Sequence, residues 1–348
     1  SHILVGTDRG EYSIRSTSFD EPVTPLNYNA KSPSTKGSAQ IPAILVDDRG
    51  YFVGRNTESV YELTFDPQSY RYKTQDMTLL CPEIGDGGFV RIAVQVEPDV
   101  RLHCVRADGT VAIMVVDPVE DVLGWVDLET DGDIEDVVVL PGRVEDRVFY
   151  RVKRNIRGAN TRYLEELAQM GQCVGGDLNR LADSFVVGTG DVDGLGHLNG
   201  ETVVIWGDGE DRGTKRVTAG AAGGHSYDNW VAGLGYEATY KSAKLSGQTS
   251  LGLSLTQHKR INSVGLVLDR THARGLEFGP NFSTMDALPS TENGRTVEDE
   301  ESYNHYDQEL IGFPGGWNTD SRLCLRATAP RHCTVLAAVL NVDRQDGD

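Results

Sequence analysis

Apolar residues in this chain come in short runs cut by Asp, Asn and Gly, a pattern that leaves little room for anything but short strands and tight turns. Runs such as 137–140 and 335–340 fall far short of the roughly 18 apolar residues that a membrane-crossing helix needs. The 39 Gly and 13 Pro, with dense Asp-Gly and Asn-Gly pairs, supply the turn chemistry that joins such strands. With few Ala, Leu or Lys blocks at helical spacing, the expected fold is mainly β. At 348 residues the chain exceeds the size at which one core stops growing, so two or three packed units are expected.

Residues 1–172 read as propeller-like or meandering antiparallel sheets. Ala43-Ile44-Leu45-Val46, the turn Asp47-Asp48-Arg49-Gly50 and Tyr51-Phe52-Val53 form a hairpin signature. In 89–96 the alternation places Val90, Ile92, Val94 and Val96 on one face, with Arg91 and Gln95 on the other. In 147–153 it places Val148, Tyr150 and Val152 inward, with Arg147, Arg151 and Lys153 outward. The rhythm breaks at 171–183, where Leu178 and Leu181 suggest one or two helical turns. A small β-barrel is expected over 173–248, containing Val203-Val204-Ile205-Trp206 and the turn Gly207-Asp208-Gly209-Glu210-Asp211. A C-terminal, sandwich-like β domain is expected over 249–348, with 281–308, including Glu298-Asp299-Glu300-Glu301, as a long exposed acidic loop.

Charge narrows the function classes. With 33 basic and 52 acidic residues the net charge is −19, a field that repels nucleic acid and anionic membrane. Against it, Arg147, Arg151, Lys153, Arg154, Arg157 and Arg162 form a basic stripe with no acid between them. The bland reading is a solvated strand face. The functional one makes Arg147, Arg151, Lys153, Arg154 and Arg157 candidates for contact with an acidic neighbouring subunit.

Motifs for common chemistries are missing: the chain has no Gly-x-Ser-x-Gly elbow, no phosphate-binding GxxxxGK[ST] loop and no HExxH. Cysteines at 81, 104, 173, 324 and 333 form no CxxC pair and are odd in number, so they read as reduced, semi-buried side chains of a cytoplasmically assembled protein. His103, between Leu102 and Cys104, reads as structural. Asp131-Gly132-Asp133-Ile134-Glu135-Asp136 and Asp191-Val192-Asp193-Gly194 superficially resemble calcium loops. Both lack the order of an EF-hand and are better explained as turns. No metal, cofactor or catalytic residue is expected.

Several stretches, in order, resemble the tail nozzle or tail-tube proteins of short-tailed bacteriophages, of the packaged-DNA stabilisation type. Leu4-Val5-Gly6-Thr7-Asp8-Arg9-Gly10-Glu11-Tyr12 is similar to that family's LxGTxxGEW strand and turn. Gly37-Ser38-Ala39-Gln40-Ile41-Pro42 and Asp76-Met77-Thr78-Leu79-Leu80 follow as they do in the family. The densest match is Trp125 with Ile134-Glu135-Asp136-Val137-Val138-Val139-Leu140-Pro141-Gly142, then Val148-Phe149-Tyr150-Arg151-Val152-Lys153-Arg154. Gly194-Leu195-Gly196-His197-Leu198-Asn199-Gly200-Glu201-Thr202-Val203 and Lys259-Arg260-Ile261-Asn262-Ser263-Val264 complete it. The resemblance implies a virion structural protein: a ring of identical subunits, commonly six, forming the conduit for DNA ejection. Its partners would be a portal-side tail adaptor, tail fibre or needle proteins, and DNA passing without specific binding or membrane insertion. Family members carry a further β region ahead of this opening, so the propeller is expected to be incomplete. The competing expectation is a carbohydrate-binding or glycan-degrading propeller-like tail protein, with Trp206, Trp230 or Trp317 against a sugar.

Overall fold

The computed structural model describes all residues except 1, 18–20, 67, 69–70, 118, 247, 250–251, 254, 293 and 345–348. The fold is mainly β: the described residues contain no α-helix, only antiparallel strands and three short 3-10 turns. Two compact units are present, residues 1–167 and 168–348.

The first unit is four consecutive meanders, each strand pairing with its neighbours in sequence. β1 (His2–Thr7), β2 (Gly10–Ser16) and β3 (Tyr28–Ser34) make the first; β4 (Ile44–Val46), β5 (Arg49–Val53), β6 (Val60–Asp66) and β7 (Arg71–Asp76) the second. β8 (Phe89–Gln95), β9 (Arg101–Arg106), β10 (Val111–Asp117) and β11 (Val122–Leu128) make the third; β12 (Asp133–Leu140), β13 (Arg147–Ile156) and β14 (Ala159–Glu166) the fourth. The third sheet is covered on both faces. Leu102 and Cys104 of β9 join one core with Tyr51, Val60 and Phe89, while Val105 joins another with Val137, Val148 and Tyr150. That double burial is why consecutive residues Leu102 to Arg106 are all buried, rather than every second one.

The β13 alternation holds: Val148, Tyr150 and Val152 are buried, and Arg151 is exposed. The alternation expected over 89–96 holds only in part: Ile92 and Val94 share the core face of Tyr51 and Phe89. A bulge between Phe89 and Arg91 leaves Val90 without a partner on β9 and brings Phe89, three residues before Ile92, onto the same core face. Val90 and Val96 lie outside, whereas Gln95 is buried.

The second unit starts with a sheet of β15 (Asp183–Asp191), β16 (Thr202–Gly207), β17 (Glu210–Arg216) and β18 (Ser226–Leu234), ordered β15-β18-β16-β17. Its core is Val192, Leu195, Leu198, Val203, Ile205, Trp230 and Leu234 with their neighbours. Gly188 pairs with Trp230 across β15 and β18, and a Cβ there would lie 2.3 Å from Trp230 Cζ2. The Asp208-Gly209 turn joins β16 to β17 with φ of 51° and 82°, the left-handed pair of a tight hairpin.

Next come β19 (Glu237–Lys241), the two-residue pair β20 (Gln248–Thr249) and β21 (Gly252–Leu253), and the 14-residue β22 (Lys259–His272). β23 (Glu277–Asn281), β24 (Thr284–Ala287), β25 (Thr291–Glu292), β26 (Arg295–Thr296), β27 (Ser302–Gly312), β28 (Cys324–Thr328) and β29 (Thr334–Arg344) complete the chain. One sheet is β19-β28-β23-β24 and another β27-β22-β29. Between them lie Val264, Leu266, Phe278, Tyr306, Phe313 and Leu325.

Three features differ from the sequence reading. β19 belongs to the segment expected as a separate barrel, yet it pairs with β28 across the expected 248/249 boundary, and residues 168–348 form one unit. Residues 281–308 are not one exposed loop: Leu288, Val297, Tyr303 and Tyr306 are core residues, and β27 pairs along β22. Its buried apolar residues are widely spaced, so no periodicity announces them. At 171–183 only a single 3-10 turn, Met170–Gln172, forms, because Gly175 and Gly176 take φ of 88° and 81°, which a right-handed helix cannot use.

Candidate interaction surface

The basic stripe lies on β13, the middle strand of its sheet, and the flanking strands supply its counter-charges. Arg147 binds Glu166 of β14 through two hydrogen bonds of 2.6 and 2.7 Å. Lys153 meets Asp133 at 3.0 Å. Glu135 of β12 accepts from Arg162 at 2.7 and 2.9 Å and pairs with Arg151 at 3.2 Å. The hydrogen bonds from Arg162 hold the Glu135 carboxyl below its usual range. Arg154 follows the inward parity of Val148, Tyr150 and Val152: it is buried, its guanidinium gripping both oxygens of Glu165 at 2.7 and 2.6 Å and the Asp131 carbonyl at 2.7 Å. Arg157 stands exposed at the β13–β14 turn with φ of 53°. The stripe is therefore a ladder of cross-strand pairs within one sheet. A count of two along the strand already separates Arg154 from the outward set.

His103 is structural, as its setting between Leu102 and Cys104 suggested. Its Nδ1 lies 2.6 Å from Tyr150 Oη and its Nε2 3.3 Å from Gln95 Oε1. Burial, with Arg101 second, pulls its pKa down to about 4. The ring is thus neutral at ordinary pH: Tyr150 donates to Nδ1, and the Nε2 proton points at Gln95.

The surface that sequence reasoning missed is β29. Residues 335–340 form an unbroken apolar run, the pattern of a strand covered on both faces. Yet among the described residues β29 is an outer strand, paired with β22 alone. Every residue from 335 to 339 is exposed, with Leu336 at 62% and Val339 at 66%. Leu310 on β27, the opposite outer strand, is 74% exposed. The run was visible in the sequence; its edge position was not.

An open cleft of about 370 Å³ is lined by Lys241, Asn281, Phe313, Trp317, Asp320 and Arg322 among others. Of the three tryptophans considered for a sugar, Trp206 and Trp230 are buried and Trp317 is half exposed. Among the described residues no group of three or more His, Cys, Asp or Glu is placed to hold a metal ion. Asp133, in the first calcium-like turn, is taken up by Lys153.

No protein-family model and no curated protein matches the chain. Among solved structures, the chain is similar to a glycoside hydrolase at 9% identity and a TM-score of 0.24, covering 98% of this chain and 95% of that one. A glycoside hydrolase family 43 arabinoxylan arabinofuranohydrolase from Bacillus subtilis gives 8% identity and a TM-score of 0.23 over 98% and 95%. The Bacteroides ovatus Xyloglucan PUL GH43B gives 11% and 0.25 over 97% and 89%.

Proposed function

We propose that the chain is a non-enzymatic structural subunit that assembles with copies of itself into a ring, a conduit of the phage tail nozzle or tube type. The observation that carries this reading is the apolar outer strand β29. Five consecutive exposed residues, Val335 to Val339, on an unpaired sheet edge are a liability for a protein that works alone and an asset for one that is covered by a neighbour. The order of the nozzle-like motifs along the chain supports the same reading. So does the net charge of −19, since a wall of carboxylates does not hold passing phosphates. The charge ladder on β13 is satisfied within its own sheet, which favours β29 over that stripe as the contact surface.

Analytical ultracentrifugation of the full chain tests the contact. The wild type should form a discrete oligomer. Leu336→Lys with Val339→Lys should leave monomers with an unchanged β-type circular dichroism spectrum. A double variant that assembles as the wild type does would remove β29 from the interface.

A second reading, a carbohydrate-binding or glycan-degrading tail protein, is favoured by Trp317, an exposed indole beside an open polar cleft. Loss of saccharide binding in Trp317→Ala, or turnover of a polysaccharide by the wild type, would support it. Neither is required by the structural reading.

A further inference from the structure

The second unit contains a buried contact between two histidines that no structural reading of a conduit wall calls for. His272 is the last residue of β22, and its backbone N–H donates to the His332 carbonyl at 2.9 Å. The two imidazoles meet edge to face, centroids 5.8 Å apart at 88°. Both rings stand against Trp206 of β16, with centroids at 6.0 and 5.9 Å. Behind them, Trp206 Nε1 donates to the Gly176 carbonyl at 2.8 Å, and the Asn179 side-chain amide donates to the Pro330 carbonyl at 2.6 Å. Gly175 lies against the His332 ring, where a Cβ would come within 2.7 Å of Cε1. The segment 175–179, strand β16, the end of β22 and the turn before β29 are thus tied at one point.

We propose that His272 and His332 form an acid-opened latch joining the sheet β15-β18-β16-β17 to the sheet β27-β22-β29. The surrounding charges are already committed. Glu300 Oε2 accepts from the Asp211 backbone N–H at 2.8 Å and lies 3.3 Å from His272 Nε2. Arg331 Nε donates to Asp211 at 2.8 Å, and Arg274, whose side chain pairs with Asp299, donates its backbone N–H to His272 Nδ1 at 3.1 Å. His272 is therefore neutral, with its proton on Nε2 toward Glu300. His332 is 1% exposed, and its Nδ1 has no hydrogen-bond partner among the described residues. The neighbouring Cys333 thiol, pushed up to about 11 by burial, stays neutral and offers no charge. A proton on His332 thus arrives in a buried site beside Arg331 and His272, without a free carboxylate to receive it.

Burial, with His272 second, lowers the His332 pKa to about 4, and burial also lowers that of His272 despite Glu300. A histidine whose folded value lies below its unfolded one stabilises the closed state above the unfolded value. That stability is lost as pH falls toward the folded value. The latch is closed at neutral pH and opens between the ordinary imidazole value of about 6.5 and about 4.

Hydrogen exchange of the full chain, corrected at each pH for intrinsic rates, tests the latch. Peptides covering 173–182 and 204–212 should lose protection at least tenfold between pH 7 and 4.5, while those of β12 to β14 keep theirs. His332→Gln should hold that protection to pH 4.5. His305→Gln, at an exposed histidine, should open as the wild type does. Unchanged protection of the wild type, or opening of His332→Gln at the wild-type pH, overturns the proposal. Should His332→Gln fail to fold, imidazole titration of the wild type by NMR decides. A His332 midpoint below 5, coincident with the loss of protection, supports the latch; a midpoint near 6.5 with protection intact overturns it.

Discussion

Arg154 and Arg147 lie on the same strand and differ only in parity, and that difference sets their energetic weight. Arg154 is buried with Glu165 across a bidentate pair, so removing one partner strands a charge in the interior. Arg154→Ala should lower stability by about 3–5 kcal/mol, read as a shift in urea midpoint. Arg147→Ala, which breaks a solvent-screened pair with Glu166, should move the midpoint far less. Equal effects would mean that the burial of Arg154 is not what matters. His103 gives the pH dependence of the first unit. Its pKa of about 4 lies below the ordinary value, so its contribution is whole above pH about 6.5 and is lost as pH falls toward 4. That contribution is on the order of 3 kcal/mol, and His103→Gln should flatten the stability profile across this window. Asp146, whose carboxyl the backbone N–H groups of Val96, Glu97 and Gly142 hold below its usual range against the opposing pull of burial, adds its loss at lower pH.

At the scale of elements, legibility followed the number of buried faces. β13 has one buried face, and its alternation is legible residue by residue apart from Arg154, whose charge suggests the stripe although its parity turns it inward. β8 is legible at Ile92 and Val94 but not at Val90, because a bulge leaves no trace in composition: Val90 is as apolar as Val94, and its lack of a partner on β9 goes with its exposure. β27 was missed because Tyr303, Tyr306 and Ile311 are its only buried apolar anchors, set among Asn, His and Asp. The small sheet was legible down to its Asp208-Gly209 turn, but the requirement at Gly188 was not. Gly188→Ala should push its methyl into Trp230 and destabilise by about 1–3 kcal/mol, with a change in near-ultraviolet circular dichroism. A neutral substitution would show that β15 can shift away from β18.

For the whole molecule, the acidic excess and the apolar edge point to one arrangement. In the proposed ring, copies would meet through β29, where no charge stands between Val335 and Leu340, and the carboxylates would lie on the remaining surface. A conduit built this way releases DNA, because each phosphate gripped by Lys or Arg would add a counterion-release contribution to binding. The basic stripe is withdrawn from such a role: Arg147, Arg151, Lys153, Arg154 and Arg162 are each paired with an acid of their own sheet. Duplex DNA should therefore show no retardation with the assembled protein at 0.15 M salt. The central claim is self-assembly into a closed ring, and electron microscopy of the purified full chain tests it most directly. The account predicts rings of identical subunits around an axial opening with a net-negative wall and β29 buried between neighbours; monomers at every concentration, or a net-positive wall, would contradict it.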